Sequence, residues 1–376
     1  MSKKRISKLL LPAIILFSAV CPSAGAANAA PEVSAAAAVL VEQGSGQVLY
    51  GRQADVPLPI ASITKIMTGL LAVERCAPEE EVTIRAEWLQ VEGSKMGLRA
   101  GERCRVEELL YGLLLASGND AAVALACHMA GDVPTFVDWM NRRAAELGMA
   151  DTHFMNPHGL TREGHYSTAR DMGRLACAAM GNPRFAAAAG TRTAEVGDRS
   201  LRNHNKLLWS YPGALGVKTG YTDAAGRTLV SCAEREGLTL VCVTLNDPAD
   251  WRDHTALLDW GFSAYAAVDP AEQGWTLPVV SGAAVSVSAA ISETAAVPVP
   301  REAAREWRIT LPPFLYAPVH RGETLGRAEL FVDDEPVFSG AIKALEAVEL
   351  NGAERLSFWE GLRRTWYNAC GAEYTP

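Results

Sequence analysis

Strand-forming sequence stands at both ends of one long segment with helical sequence between, and this placement restricts the fold more than any other feature. Near the start, Ala37, Ala38, Val39, Leu40 and Val41 pass through Glu42-Gln43-Gly44-Ser45-Gly46 to Gln47, Val48, Leu49 and Tyr50. That pattern is two short strands around a glycine turn. Far along the chain, residues 213–222, 227–232 and 238–245 are rich in β-branched and apolar side chains and are separated by turns, which predicts a meander. Apolar spacing predicts helices over residues 62–74, 106–115, 121–129 and 135–147, another from residue 167 or 168, and a closing helix over 250–260 stopped by Gly261. Residues 79–105 read as surface turns with short elements, anchored by Trp88 and Met96. Strands so far apart bury their faces only by meeting. The expected class is α+β, an antiparallel sheet flanked by helices.

The chain has 376 residues, 49% hydrophobic and 21% charged, enough for two cored domains and unlike a disordered chain. Residues 1–29 differ. Lys3, Lys4, Arg5 and Lys8 precede an apolar run from Leu9 to Phe17 and a stretch ending Ala27-Asn28-Ala29, the pattern of a secretory signal cut after Ala29, or alternatively after Ala26. The run is short for a membrane span, and Val20 is a poor neighbour for lipid attachment at Cys21. The mature chain is therefore expected outside the cytoplasm. Its formal charge, −8 before cleavage, becomes more negative once the four leader cations leave, so nucleic acid is not an expected partner. Cys76, Cys104, Cys127, Cys177, Cys232, Cys242 and Cys370 remain, an odd number without a C-x-x-C pair, which favours core packing over a disulfide framework.

Past residue 262 the texture changes to short apolar runs at 279–280, 285–287, 296–299, 307–311, 325–331 and 347–350, separated by Pro, Gly and acidic turns. They predict a small all-β domain. The expected organisation is a leader over 1–29, a main domain over 30–265, a β-sandwich-like domain over 270–350 and a tail over 351–376. In the tail Trp359, Leu362 and Trp366 share a helical face, so it is a candidate for peripheral membrane contact. Its three arginines and three glutamates balance, which leaves docking on its own protein as an alternative.

The chemistry concentrates at Pro59-Ile60-Ala61-Ser62-Ile63-Thr64-Lys65. Pro59 blocks a helix before it, so Ser62 and Lys65 fall on one face, three apart, at a helix start. A lysine near its ordinary pKa of about 10.4 is almost wholly charged at pH 7, so service as a base requires burial or a second cation. With both, Lys65 takes the Ser62 proton and the helix N-terminus offers N–H groups to an oxyanion. Further on, Ser117-Gly118-Asn119 breaks two apolar helical runs, and Lys218-Thr219-Gly220 lies in a β-branched run. Val217 stands where a Walker loop needs glycine, and Gly44 and Gly46 lack phosphate-loop spacing, so nucleotide binding is disfavoured. His153, His158 and His165 cluster in a loop without H-E-x-x-H spacing, so loop-fixing roles are favoured over metal ligation, and no metal or other cofactor is expected.

Ser62-Ile63-Thr64-Lys65, Ser117-Gly118-Asn119 and Lys218-Thr219-Gly220 occur in the order that marks class A β-lactamases and penicillin-binding proteins. With Ala61 to Thr68, Ala116 to Ala122, Asn156-Pro157-His158-Gly159-Leu160 and Gly216 to Thr222, the chain resembles the D-alanyl-D-alanine carboxypeptidases of the S11 serine peptidase family, the low-molecular-mass penicillin-binding proteins. The resemblance implies a β-lactamase/transpeptidase-like fold, peptidoglycan stem peptide as substrate and β-lactam antibiotics as covalent inhibitors. It further implies Ser62 as nucleophile, Lys65 as base, Ser117 as proton relay and Asn119 as holder of the substrate amide and of Lys65. Lys218 and Thr219 would bind the terminal carboxylate, with Gly220 and Tyr221 beside them. The oxyanion hole would be the N–H groups of Ser62 and Tyr221, and Lys218 would be the cation keeping Lys65 neutral. Class A β-lactamases are the first alternative, but Gly118 replaces their aspartate and no deacylating glutamate motif is found. A penicillin-binding sensor without turnover is the second.

Overall fold

The computed structural model describes residues 29–292, 295–352 and 358–370, so all but the last residue of the expected leader lies outside the described residues. The chain opens on β1 (Ala37–Glu42), β2 (Val48–Arg52) and α1 (Lys65–Arg75). A small ribbon, β3 (Glu81–Thr83) with β4 (Arg103–Arg105), precedes α2 (Val106–Leu114), α3 (Asn119–Ala130), α4 (Val133–Glu146), α5 (Ala169–Met180) and α6 (Pro183–Gly190). Hairpin β5 (Thr193–Val196) and β6 (Arg199–Arg202) and the single turn α7 (Leu207–Ser210) lead into β7 (Ala214–Thr222), β8 (Gly226–Arg235), β9 (Leu238–Leu245) and α8 (Asp250–Ala264). The sheet order is β2-β1-β9-β8-β7, antiparallel throughout. Strands from the two ends of this segment pair at its centre, as the sequence pattern requires.

Alternation along the strands sends side chains to two cores. Val39 and Val41 of β1 join Val241 and Val243 of β9 and the helices α1 and α5, while Ala38 and Leu40 join Leu240, Cys242 and Leu257, Leu258 and Phe262 of α8. α1 is buried along nearly its whole length because α2, α3, α5 and α6 surround it. A Cβ at Gly69 would come within 2.8 Å of the Phe185 ring, so only glycine admits α6 this close.

Several expectations are corrected. The segment from residue 62 begins as a 3₁₀ turn, Ala61–Thr64, and turns α-helical only at Lys65. α8 runs through Gly261 to Ala264. A Cβ at Gly261 would stand 2.7 Å from Leu40 and Leu240, so this glycine lets the helix approach the sheet instead of ending it. The sequence reading placed nothing between α5 and β7, although Asn182 caps Arg184 and Phe185 through its side chain and Pro183 occupies the first helical turn of α6.

Beyond α8 come β10 (Tyr265–Val268), β11 (Gly274–Val280), β12 (Ser286–Ile291), β13 (Val297–Pro300), β14 (Arg305–Thr310), β15 (Leu315–Tyr316), β16 (Thr324–Val332) and β17 (Glu335–Ala344). In place of two facing sheets, six strands form one sheet ordered β14-β16-β17-β12-β11-β15, with a two-stranded β10-β13 ribbon. Val297 and Val299 of that ribbon pack on Leu330 and Val332 of β16. β17 was not foreseen, since Pro336 and Gly340 interrupt its pattern. Its hairpin turn at Asp333 and Asp334 has both residues at positive φ, 49° and 69°, the geometry that matches strand twist. Residues 347–350 make only the isolated bridges Val319 to Val348 and Gly282 to Leu350. The last described element is α9 (Phe358–Cys370).

Candidate active site

The 3₁₀ turn that carries Ser62 is held from three directions. Ala61 has φ of +49°, a conformation that side chains resist. Thr64 Oγ1 donates to Ala61 O at 2.8 Å and lies 2.8 Å from His165 Nε2, while His165 Nδ1 accepts from Met155 N at 3.0 Å. Nδ1 is therefore the acceptor and Nε2 carries the proton toward Thr64. Gly159, at φ of +91°, presses so close that a Cβ would lie 1.9 Å from Ala61 O. From the sheet side, a Cβ at Gly220 would lie 2.9 Å from Ser62 N and 2.4 Å from Thr228 Oγ1, which donates to Ile60 O at 3.1 Å.

Lys65 is wholly buried. Its Nζ lies 2.9 Å from Ser62 Oγ and donates to the His158 carbonyl at 2.7 Å. Burial first, and the Lys218 ammonium second, lower its pKa well below the ordinary lysine range, opposed by the Asp120 carboxylate. Both expected causes act, with desolvation ahead of the second cation. Lys218 itself, on β7, is buried and donates to its neighbour Thr219 O at 2.9 Å, and burial pulls its pKa to about 7.

Ser117 sits between α2 and α3 with φ of +57° and is nearly buried. Asn119 opens α3, but its side chain donates to Glu92 O at 2.6 Å and its backbone N–H to Ser94 O at 2.7 Å. The expected Asn119 to Lys65 hydrogen bond is absent among the described residues, and the His158 carbonyl takes its place on the lysine. Asp120 accepts from the N–H groups of Met96, Gly97 and Leu98 at 2.9, 2.9 and 3.1 Å. Residues 92–98 are thereby fastened against the Ser117-Gly118-Asn119 turn. Thr219 and Gly220 are half-buried, and Tyr221 is 65% exposed at the end of the run.

Sequence reasoning missed Thr64, Gly159 and Asp120 as supports, and had the histidines only as loop-fixing residues. That reading suits His153, whose Nδ1 lies 2.8 Å from Gly164 O, and His158, whose Nδ1 accepts from Leu160 N at 3.2 Å. A serine hydroxyl 2.9 Å from a buried amine of lowered pKa, with Lys218 of β7 acting on that amine, is an arrangement chemically suited to serine acyl transfer.

Residues 24–249 match the family model for D-alanyl-D-alanine carboxypeptidase, peptidase S11, and residues 265–350 that for the penicillin-binding protein 5 C-terminal domain. The chain is 32% identical over 375 residues to the D-alanyl-D-alanine carboxypeptidase DacF of Bacillus subtilis, covering 93% of this chain and 96% of that one. It is 31% identical to DacC of Escherichia coli, covering 90% of each. Among solved structures, penicillin-binding protein 5 of Haemophilus influenzae superposes with a TM-score of 0.71 at 28% identity, over 85% of this chain and 99% of that one. The chain belongs to the D-alanyl-D-alanine carboxypeptidase family. It is a hydrolase, a serine-type D-Ala-D-Ala carboxypeptidase with the fold of the penicillin-binding proteins.

Proposed function

We propose that Ser62 is the nucleophile that removes the terminal D-alanine from peptidoglycan stem pentapeptides. Neutral Lys65 takes the Ser62 proton as Oγ attacks the carbonyl between the two D-alanines, and the N–H groups of Ser62 and Tyr221 receive the oxyanion. Ser117, whose hydroxyl has no hydrogen-bond partner among the described residues, returns a proton to the departing amine. Lys218 and Thr219 hold the terminal carboxylate, with Gly220 giving the substrate room along β7, and Asn119 orients the substrate amide from the α3 start. Water, activated by Lys65, then hydrolyses the acyl-enzyme. β-Lactams acylate the same serine because their ring carbonyl takes the scissile position. The observation that carries this reading is the 2.9 Å approach of Lys65 Nζ to Ser62 Oγ in a wholly buried setting.

The test is D-alanine release from diacetyl-lysyl-D-alanyl-D-alanine, run beside benzylpenicillin labelling and hydrolysis. Wild type should release D-alanine and hold penicillin. Ser62→Ala should stay folded and lose both activities, and persistent labelling in that variant would place the nucleophile elsewhere. Fast penicillin turnover would instead favour a β-lactamase.

The same proposal divides the chain into domains over 30–265 and 270–350, a division supported by the change of sheet at Tyr265. Export by the leader and peripheral contact of the tail with the outer face of the cytoplasmic membrane belong to the same proposal. No helix among the described residues is long and apolar enough to cross a membrane. Tyr367 of α9 stacks on Phe314 at 5.2 Å, and Asn368 exchanges two hydrogen bonds with the Tyr316 backbone at 2.9 Å. The opposite side presents Trp359, Leu362 and Trp366, 73%, 55% and 60% exposed. The helix thus docks on its own protein and still offers an aromatic face. Truncation after Leu350 should spare activity on the soluble peptide and lower binding to vesicles; unchanged binding would remove the anchor.

A further inference from the structure

Three segments distant from Ser62 bring a thiol, a carboxylate and an imidazole together. Cys76 directly follows the last residue of α1, and its N–H still donates to Ala72 O at 3.1 Å. Glu80 stands in the turn before β3, fixed by its N–H to Ala77 O at 3.2 Å and by its carbonyl, which accepts from Val106 N at 2.9 Å. His128 belongs to the last turn of α3. His128 Nε2 lies 2.7 Å from Glu80 Oε1, and one ligand atom from each of the three residues lies within 4.8 Å of the other two.

We propose that Cys76, Glu80 and His128 form a zinc-binding site that ties the far ends of α1 and α3 together. A tetrahedral ion with bonds of about 2.0 to 2.3 Å needs ligand atoms roughly 3.3 to 3.5 Å apart, so small side-chain rotations close the site. Sulfur, nitrogen and oxygen in one set suit zinc, whereas calcium and magnesium favour oxygen alone. Thiolate and carboxylate balance a divalent charge with the imidazole neutral, and a water completes the coordination. Without metal the thiol keeps its proton, since burial and the Glu80 carboxylate push its pKa to about 11; zinc displaces that proton. Of the two cations that act on the thiol, Arg184 directs Nη1 to the Cys76 and Val73 carbonyls at 2.7 and 3.2 Å, and Arg75 lies over the Trp139 ring.

The position gives the ion its role. Eleven residues of α1 separate Ser62 and its turn from Cys76, about 16 Å at 1.5 Å per residue, so the ion touches no reacting atom. It braces the two helices whose other ends carry Ser62 with Lys65 and Ser117 with Asn119.

Purified full-length mature protein, stripped with a chelator, is titrated with cobalt(II) and then with zinc. One cobalt per chain should bind with a thiolate-to-cobalt charge-transfer band that zinc bleaches, and zinc should raise the thermal midpoint. Cys76→Ser should lose the band and the zinc-dependent rise while keeping D-alanine release. His128→Ala should weaken zinc binding at least about tenfold. Absence of the band in wild type, or its survival in Cys76→Ser, would overturn the site.

Discussion

Gly159 stands where no other residue fits, with φ of +91° and its Cα against Ala61 O, where a Cβ would sit 1.9 Å away. Gly159→Ala must shift the turn that aims Ser62, and misplacement of a reacting atom by about 1 Å costs on the order of 100-fold in rate. Penicillin acylation should slow by about that factor, with about 1 to 3 kcal/mol of stability lost to the strained backbone; an unchanged acylation rate would show that the wedge does not set the turn. Lys65 illustrates the opposite trade. In the proposed mechanism its amine serves as a base because it is buried and neutral, and burial of that group opposes folding. Lys65→Met keeps a similar shape without the polar end. It should abolish penicillin labelling yet raise the urea midpoint, by about 0.5 to 2 kcal/mol in stability, the usual trade at a strained site. A lowered midpoint would mean that the hydrogen bonds to Ser62 and His158 outweigh the cost of burial.

Among the elements, α3 does two things at its first turn. Asn119 and Asp120 bind residues 92–98 through five hydrogen bonds, three of them N–H donors to one carboxylate. Gly93 permits this closeness, since a Cβ there would lie 2.8 Å from Asn119 Nδ2. The same carboxylate raises the Lys65 pKa against burial. Asp120→Asn should therefore have two separable effects. Amide exchange at Met96, Gly97 and Leu98 should quicken, with a stability loss of about 1 to 3 kcal/mol from weakened charge-assisted bonds. Without the negative charge Lys65 stays neutral to lower pH, so the acid limb of the acylation rate should move to lower pH. Movement to higher pH would contradict the assigned direction of the Asp120 effect.

Across the whole molecule, two buried histidines and a half-buried one make stability depend on pH. His158 and His254 are held to about 3 and His165 to about 4, in each case first by burial, against about 6.5 in the unfolded chain. His254 bridges sheet and α8, with Ser231 Oγ at 2.6 Å and Thr244 Oγ1 at 2.9 Å. Between pH 6.5 and 4 the unfolded chain binds more protons than the folded one, so stability falls as pH falls, by on the order of 1 kcal/mol per pH unit for each histidine. Denaturant unfolding at pH 7, 5.5 and 4.5 should show this slope, and His254→Asn should reduce it; a flat profile would mean these imidazoles are solvated in the folded state. At this scale the division between sequence and structure is clear. The antiparallel sheet, its helical cover and the order of Ser62, Lys65, Ser117, Asn119 and Lys218 were legible because period and spacing are local properties. The pairing of β17, hidden by Pro336 and Gly340, was not, nor was the run of α8 past Gly261, because both depend on what packs opposite. By itself the sequence determined which chemical groups this protein possesses and which elements carry them. Only the tertiary structure decided that burial outweighs Lys218 in neutralising Lys65, and that a distant carbonyl, His158, is the lysine's partner. Desolvation and long-range hydrogen bonds arise only when segments far apart in the chain exclude water between them.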